Sequence, residues 1–246
     1  MNPVHTGPAI GLSALLALLA ALAATTGLGP AGWLVGIGCG LAGSAQLVRA
    51  MARRSLARLG PADRVTLTRA VLTGAVAALT ADSVSRPVPV PVLVTLASTA
   101  LVLDCIDGWL ARRTGTASEF GARFDMEVDA FAIAVLSCFV AGLLGPEVLL
   151  IGLARYAFVA AGWRLAWLRM PVPPSYWRKL VAAVQGVVLT VVASGLLPRP
   201  VSQLAVALAL ALLAESFGHE AWQKWRLHTE PGQVPAAPLE LPARAA

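Results

Sequence analysis

Residues 88–129 read VPVPVLVTLASTALVLDCIDGWLARRTGTASEFGARFDMEVD, and the fold turns on this stretch. It opens on an apolar run, 88–110, of about the 20 residues that a helix needs to cross a bilayer. A second apolar run, 120–145, begins after a short polar turn. Between and within the two runs lie four aspartates: Asp104, Asp107, Asp125 and Asp129. A carboxylate at membrane depth is expensive unless it is paired or faces water. The stretch therefore reads as two membrane helices joined by a tight turn, with acidic groups gathered near the joined ends.

The rest of the chain supports a lipid environment. Of 246 residues, 57% are hydrophobic and 13% are charged, where a soluble domain carries about 25% charged residues. Mean hydropathy is +0.73. A water-soluble fold has nowhere to hide so much apolar surface. Further apolar runs cover 10–28, 31–50, 66–82, 147–168, 180–197 and 201–218, punctuated by Gly29-Pro30, Gly60-Pro61, Arg86-Pro87, Gly145-Pro146, Pro171 through Pro174 and Pro198. No Lys or Arg precedes the first run, so it lacks the positive flank of a signal peptide and reads as half of a retained hairpin. The expected fold is an all-α, polytopic transmembrane bundle. An N-terminal transmembrane hairpin takes up 1–50, a core of six helices 51–218, and a partly disordered cytoplasmic tail 219–246.

Charge sets the expected orientation. The net charge is +6, and Arg53, Arg54, Arg58, Arg64, Arg112, Arg113, Arg169, Arg178 and Lys179 fall in alternate connections, against Arg86 and Arg199 on the other side. The positive-inside rule makes the first set cytoplasmic, with both termini on that side of the cell membrane. Trp163, Trp167, Trp177, Trp222 and Trp225 cluster near the same side, as an interfacial belt. No nucleic-acid-binding motif is present. Cys39, Cys105 and Cys138 lie in apolar runs without metal-site spacing and read as small buried hydrophobes.

Spacing turns the four aspartates into a set. Asp104 and Asp107 are i, i+3; Asp125 and Asp129 are i, i+4; each pair shares a helix face. Thr116 and Glu119 can form a capping box that starts the second helix. An antiparallel pair then brings four carboxylates together, which repel unless a cation neutralises them. All-oxygen donors select a hard ion, Mg²⁺ or Mn²⁺, and four carboxylates can hold two such ions about 3.5–4 Å apart. Gly108 and Gly121 leave room for a ligand or another backbone. Arg112 and Arg113 can fork onto phosphate oxygens. Together these groups suggest pyrophosphate chemistry. Ordinary surface charges are the competing account, and four acidic residues at helical spacing inside apolar runs disfavour it.

The same stretch resembles the signature of the CDP-alcohol phosphotransferases, D-x2-D-G-x2-A-R-x8-G-x3-D-x3-D. Asp104, Asp107, Gly108, Ala111, Arg112, Gly121, Asp125 and Asp129 fill every fixed position. A weaker echo, Asp63-x2-Thr66-x2-Arg69, resembles the family's Asn-x2-Thr-x2-Arg, with Asp63 replacing the Asn. The resemblance extends over six spans from about 61 to 218 and leaves the first two spans outside it. It implies Asp104, Asp107, Asp125 and Asp129 as ligands of two divalent ions, Mg²⁺ or Mn²⁺. It implies Thr66, Gly108, Ala111, Arg112 and Gly121 as the CDP pocket, and Asp129 as the base that takes the acceptor's proton. The donor would be a CDP-alcohol such as CDP-diacylglycerol, the acceptor a hydroxyl, the setting phospholipid biosynthesis among membrane lipids, and the assembly a homodimer.

Outside the signature, Arg155 lies within an apolar run, either as a functional group or paired with a carboxylate such as Glu215. Arg164, Arg178 and Lys179 could bind an acceptor phosphate, although positive-inside loop charge explains them more simply. Arg123 and Glu127, at i, i+4, can pair. The run Phe124-Asp125-Met126-Glu127-Val128-Asp129-Ala130 departs from the Leu-Asp-Pro-x2-Asp-Lys-like run of glycerophosphate-using members. It leaves inositol phosphate, phosphatidylglycerol, serine and glycerol phosphate open as acceptors. Two other readings compete: a divalent-cation transporter, which would need no Gly108-x2-Ala111-Arg112 between its acidic pairs, and a catalytically silent relative.

Overall fold

The computed structural model describes residues 6–54, 56, 59–115, 118–170, 172 and 175–229, with the backbone alone at Ala111, Arg112 and Thr114. Among these residues every element is helical: α1 Thr6–Thr26, α2 Pro30–Arg53, α3 Pro61–Asp82, α4 Val90–Thr114, α5 Glu119–Leu144, α6 Leu149–Arg164, α7 Tyr176–Ala193 and α8 Arg199–Thr229. Short 3₁₀ turns at Pro146–Val148 and Ala166–Arg169 flank α6. Eight helices are long and apolar enough to cross a membrane, as the run lengths predict.

Helix α3 is the hub. It packs against α1, α2, α4 and α5, and its run Gly74–Asp82 is almost entirely buried. That run is made of small residues, Gly74, Ala75, Ala77 and Ala78, which let neighbouring backbones approach closely. Leu15, Leu19 and Leu22 of α1 join Ala75, Ala78 and Leu79 in one cluster with residues of α4, α5, α7 and α8. The first two spans thus share the core of the other six.

A polar clamp fixes them there. Asp82 is buried at the end of α3 and accepts from the amides of Gly29 (2.6 Å) and Gly32 (2.7 Å). These belong to the entry of α2, whose first amides have no partner inside the helix. Arg86 holds the carboxylate from behind (Nη2–Oδ2, 2.7 Å) and donates to the Gly27 carbonyl. Gly27 itself takes φ 71°, the left-handed conformation that ends α1 and turns the chain.

Several local expectations are corrected. Helix α3 begins at Pro61 rather than 66, and α7 at Tyr176 rather than 180. Polar helix ends explain the shift: Asp63, Arg64, Trp177 and Arg178 interrupt the apolar run while their backbones stay helical. The segment from His219 continues α8 to Thr229. Lys224 fixes it there, with Nζ 2.8 Å from both Glu220 Oε1 and the Leu168 carbonyl. Residues 230–246 lie outside the described part. Helix α5 is capped by Ser118, whose Oγ accepts from Gly121 N at 2.9 Å, and Thr116 lies outside the described residues. Arg155 pairs with Glu127 across α5 and α6, while Glu215 accepts from Trp177 Nε1 at 2.7 Å. Glu127 being taken, Arg123 turns to Glu119 (2.7 Å), one turn the other way.

Candidate active site

Helices α4 and α5 each pack against α3, so the C-terminal turns of α4 and the N-terminal turns of α5 converge beside the start of α3. Carboxylate oxygens of Asp104, Asp107 and Asp125 lie within 4.8 Å of one another. Asp107 is buried, 4% exposed, and the other two are about one-third exposed, so the cluster opens on one side. Asp129, one turn deeper on α5, joins them through a shared partner.

That partner is Arg69 of α3, itself 3% exposed. Its Nη1 lies 2.8 Å from Asp107 Oδ2 and also contacts Asp125; its Nη2 lies 2.8 Å from Asp104 Oδ1 and also contacts Asp129. Each terminal nitrogen therefore bridges one carboxylate of α4 and one of α5. Sequence reasoning placed Arg69 in a weak motif and gave it no role. The signal was available: an arginine in an apolar span is a functional-site candidate by default, the rule that had singled out Arg155.

One guanidinium does not balance four carboxylates. Two like charges 4 Å apart repel by about 4 kcal/mol at the effective dielectric of a protein surface. Further positive charge fits the site, and its all-oxygen donor set suits a hard divalent ion. Asp104, Asp107 and Asp125 are close enough to hold one such ion, with Asp129 adjacent.

The other expected residues divide. Thr66 is buried and its Oγ1 donates to Asp107 Oδ2 at 3.1 Å, orienting that carboxylate. Gly108 is half-buried, directly after Asp107. The side chains of Ala111 and Arg112 lie outside the described part. Gly121 sits where the starts of α3 and α5 meet, and a Cβ there would stand 2.7 Å from Asp63 Oδ1. The other oxygen of Asp63 accepts from the Gly60 amide at 2.9 Å and holds the first turn of α3. Only glycine at 121 leaves that arrangement undisturbed.

The family model described as CDP-alcohol phosphatidyltransferase matches residues 59–214. No curated protein and no solved structure matches the chain. Members of that family transfer a phosphoalcohol group from a CDP-alcohol and generally depend on divalent metal. The match runs from the turn before α3 to the middle of α8 and encloses every residue of the carboxylate cluster. With nearly two-thirds of its length so matched, the chain belongs to the CDP-alcohol phosphatidyltransferase family.

Proposed function

We propose that this chain moves a phosphatidyl group from CDP-diacylglycerol to an acceptor hydroxyl, releasing CMP, as a step of phospholipid synthesis at the cytoplasmic face of the cell membrane. The observation that carries this reading is the convergence of Asp104, Asp107, Asp125 and Asp129 on Arg69 at one end of a bundle of membrane-length helices. A lipid donor suits the surroundings. Val102, Ile106 and Trp109 form an exposed apolar stripe on α4 beside the two aspartates of that helix. Acyl chains lying along that stripe would deliver a pyrophosphate to the carboxylates from within the bilayer.

The roles follow from position. Asp104, Asp107 and Asp125 would hold two divalent ions, Mg²⁺ or Mn²⁺, with Asp129 completing the site; when bound, these ions neutralise the pyrophosphate and the departing CMP. Thr66, Gly108, Ala111, Arg112 and Gly121 would line the CDP pocket. In the transfer, the acceptor oxygen bonds to the lipid-bearing phosphorus as the bond from that phosphorus to CMP breaks. The acceptor's proton passes to Asp129, on Oδ2, because Oδ1 faces Arg69. Arg69 keeps the four carboxylates at fixed spacing, so little reorganisation remains for the reaction itself. The domain division at residues 50 and 218, a homodimer, and termini on the cytoplasmic side belong to the same proposal.

The test is CMP release from protein in membranes supplied with CDP-diacylglycerol, Mg²⁺ and a panel of hydroxyl acceptors. Release with at least one acceptor, abolished by EDTA, is expected. Silence with every acceptor and every CDP-alcohol, combined with Mg²⁺ or Mn²⁺ uptake into proteoliposomes, would instead establish a cation transporter.

A further inference from the structure

On the far side of the α3–α5 seam from the aspartates lies a half-open cavity, ≈ 540 Å³, lined by α1, α2, α3 and α5 with Tyr156 of α6. Its size falls within the roughly 300–1,000 Å³ of small-molecule sites. The two sites use different faces of the same helices. Leu67, Val71 and Gly74 of α3 face the cavity, whereas Thr66 and Arg69 face the carboxylates; on α5, Phe124, Val128 and Phe131 face it, whereas Asp125 and Asp129 do not. Helices α2 and α5 each pack along α3 and meet one another near Met51 and Phe120, so the cavity lies in the gap between them.

Its polarity is graded. The interior is apolar, and one end carries Arg53, Arg54 and Arg123. Arg54 (3.3 Å) and Arg123 (2.7 Å) share the single carboxylate of Glu119. Arg53 has no ion pair among the described residues. Glu127, which also lines the cavity, is already neutralised by Arg155. Three guanidinium groups set against the one carboxylate of Glu119 leave an excess of two positive charges at the mouth of an apolar slot within membrane-spanning helices. A ligand complementary to this shape has a hydrocarbon chain and an anionic phosphate at its end.

We infer that this cavity binds one anionic glycerophospholipid, an acyl chain in the slot and the phosphate against Arg53, Arg54 and Arg123, at a site separate from the reaction centre. The site does not depend on which donor the enzyme uses. Three of its walls, α1, α2 and the cavity face of α5, belong to the packing between the N-terminal hairpin and the core. A lipid seated there braces the two helices that carry Arg69, Asp125 and Asp129. The hairpin thereby gains a purpose that the family match, which begins at residue 59, leaves open.

Gly43 offers a clean probe, because it lines the cavity at the middle of the α2 face and a Cβ added there would meet nothing within 4 Å. Purified full-length protein is mixed with detergent micelles containing phosphatidylglycerol or phosphatidylcholine, and retained lipid is counted by native mass spectrometry. One phosphatidylglycerol per chain is expected, at least ten times more than phosphatidylcholine. Gly43→Phe should cut that retention at least tenfold without lowering the melting temperature of the lipid-free protein. A double variant, Arg53→Gln with Arg123→Gln, should erase the headgroup preference while leaving some lipid bound. Excess CDP, which carries the donor's pyrophosphate but no acyl chain, should not displace the lipid. Unchanged retention in Gly43→Phe, equal binding of the two lipids by the wild-type chain, or displacement by CDP would each overturn the inference.

Discussion

Arg69 holds four carboxylates at once, and its removal should leave them facing one another across a few ångströms. Breaking a buried ion pair by deleting one partner costs about 3–5 kcal/mol. Arg69→Met should therefore lower the melting temperature sharply in EDTA, and millimolar Mg²⁺ should recover more stability in the variant than in the wild type. Equal melting temperatures in EDTA would mean that the guanidinium neutralises nothing. Asp129→Asn keeps the shape but removes the base, so kcat should fall about 10²–10⁴-fold with donor KM little changed, read from CMP release. The four aspartates were legible in the sequence because intramembrane charge at helical spacing has few explanations. The four-way contact was not, since Arg69 is 35 residues from Asp104 and 60 from Asp129 along the chain, and only the packing of three helices joins them. Pairings such as Arg155 with Glu127 escaped for the same reason: each arginine had several carboxylates within plausible reach, and only the crossing of α5 and α6 chose one.

Helix ends carry much of the specificity at the next scale. The start of α5 presses against the start of α3, and a methyl at 121 would push Asp63 off the Gly60 amide. Gly121→Ala should lower both melting temperature and turnover. The stability loss should shrink in an Asp63→Ala background, with a coupling of about 0.5–3 kcal/mol in the double-mutant cycle. Additive losses would sink that account. Asp82→Ala should cost about 1–3 kcal/mol, because two buried amides and Arg86 lose their acceptor together. The existence of all eight helices was readable from apolar run length, and their ends were not. Run length detects the part of a helix that faces hydrocarbon, whereas α8 continues past it on the strength of Lys224, Glu220 and the Leu168 carbonyl, contacts made outside the apolar band.

At the scale of the molecule, the aspartate cluster, the arginine-rich cavity mouth and the tryptophans of α6, α7 and α8 share one end of the bundle. If that end faces the cell interior, a single cysteine at Arg113, on a background lacking Cys39, Cys105 and Cys138, should react with an impermeant maleimide only in inside-out vesicles. Reaction in intact cells would reverse the topology. The clamp between Asp82 and the entry of α2 has a further consequence for biosynthesis. Chain order delivers α2 to the bilayer before the residue that completes its first turn has been made, so until then its leading amides have only water or headgroups at the end of the span as partners. Insertion of the opening pair of helices is therefore provisional until the third arrives, and a ribosome stalled near residue 58 should leave behind a hairpin that quality-control proteases recognise as unfinished.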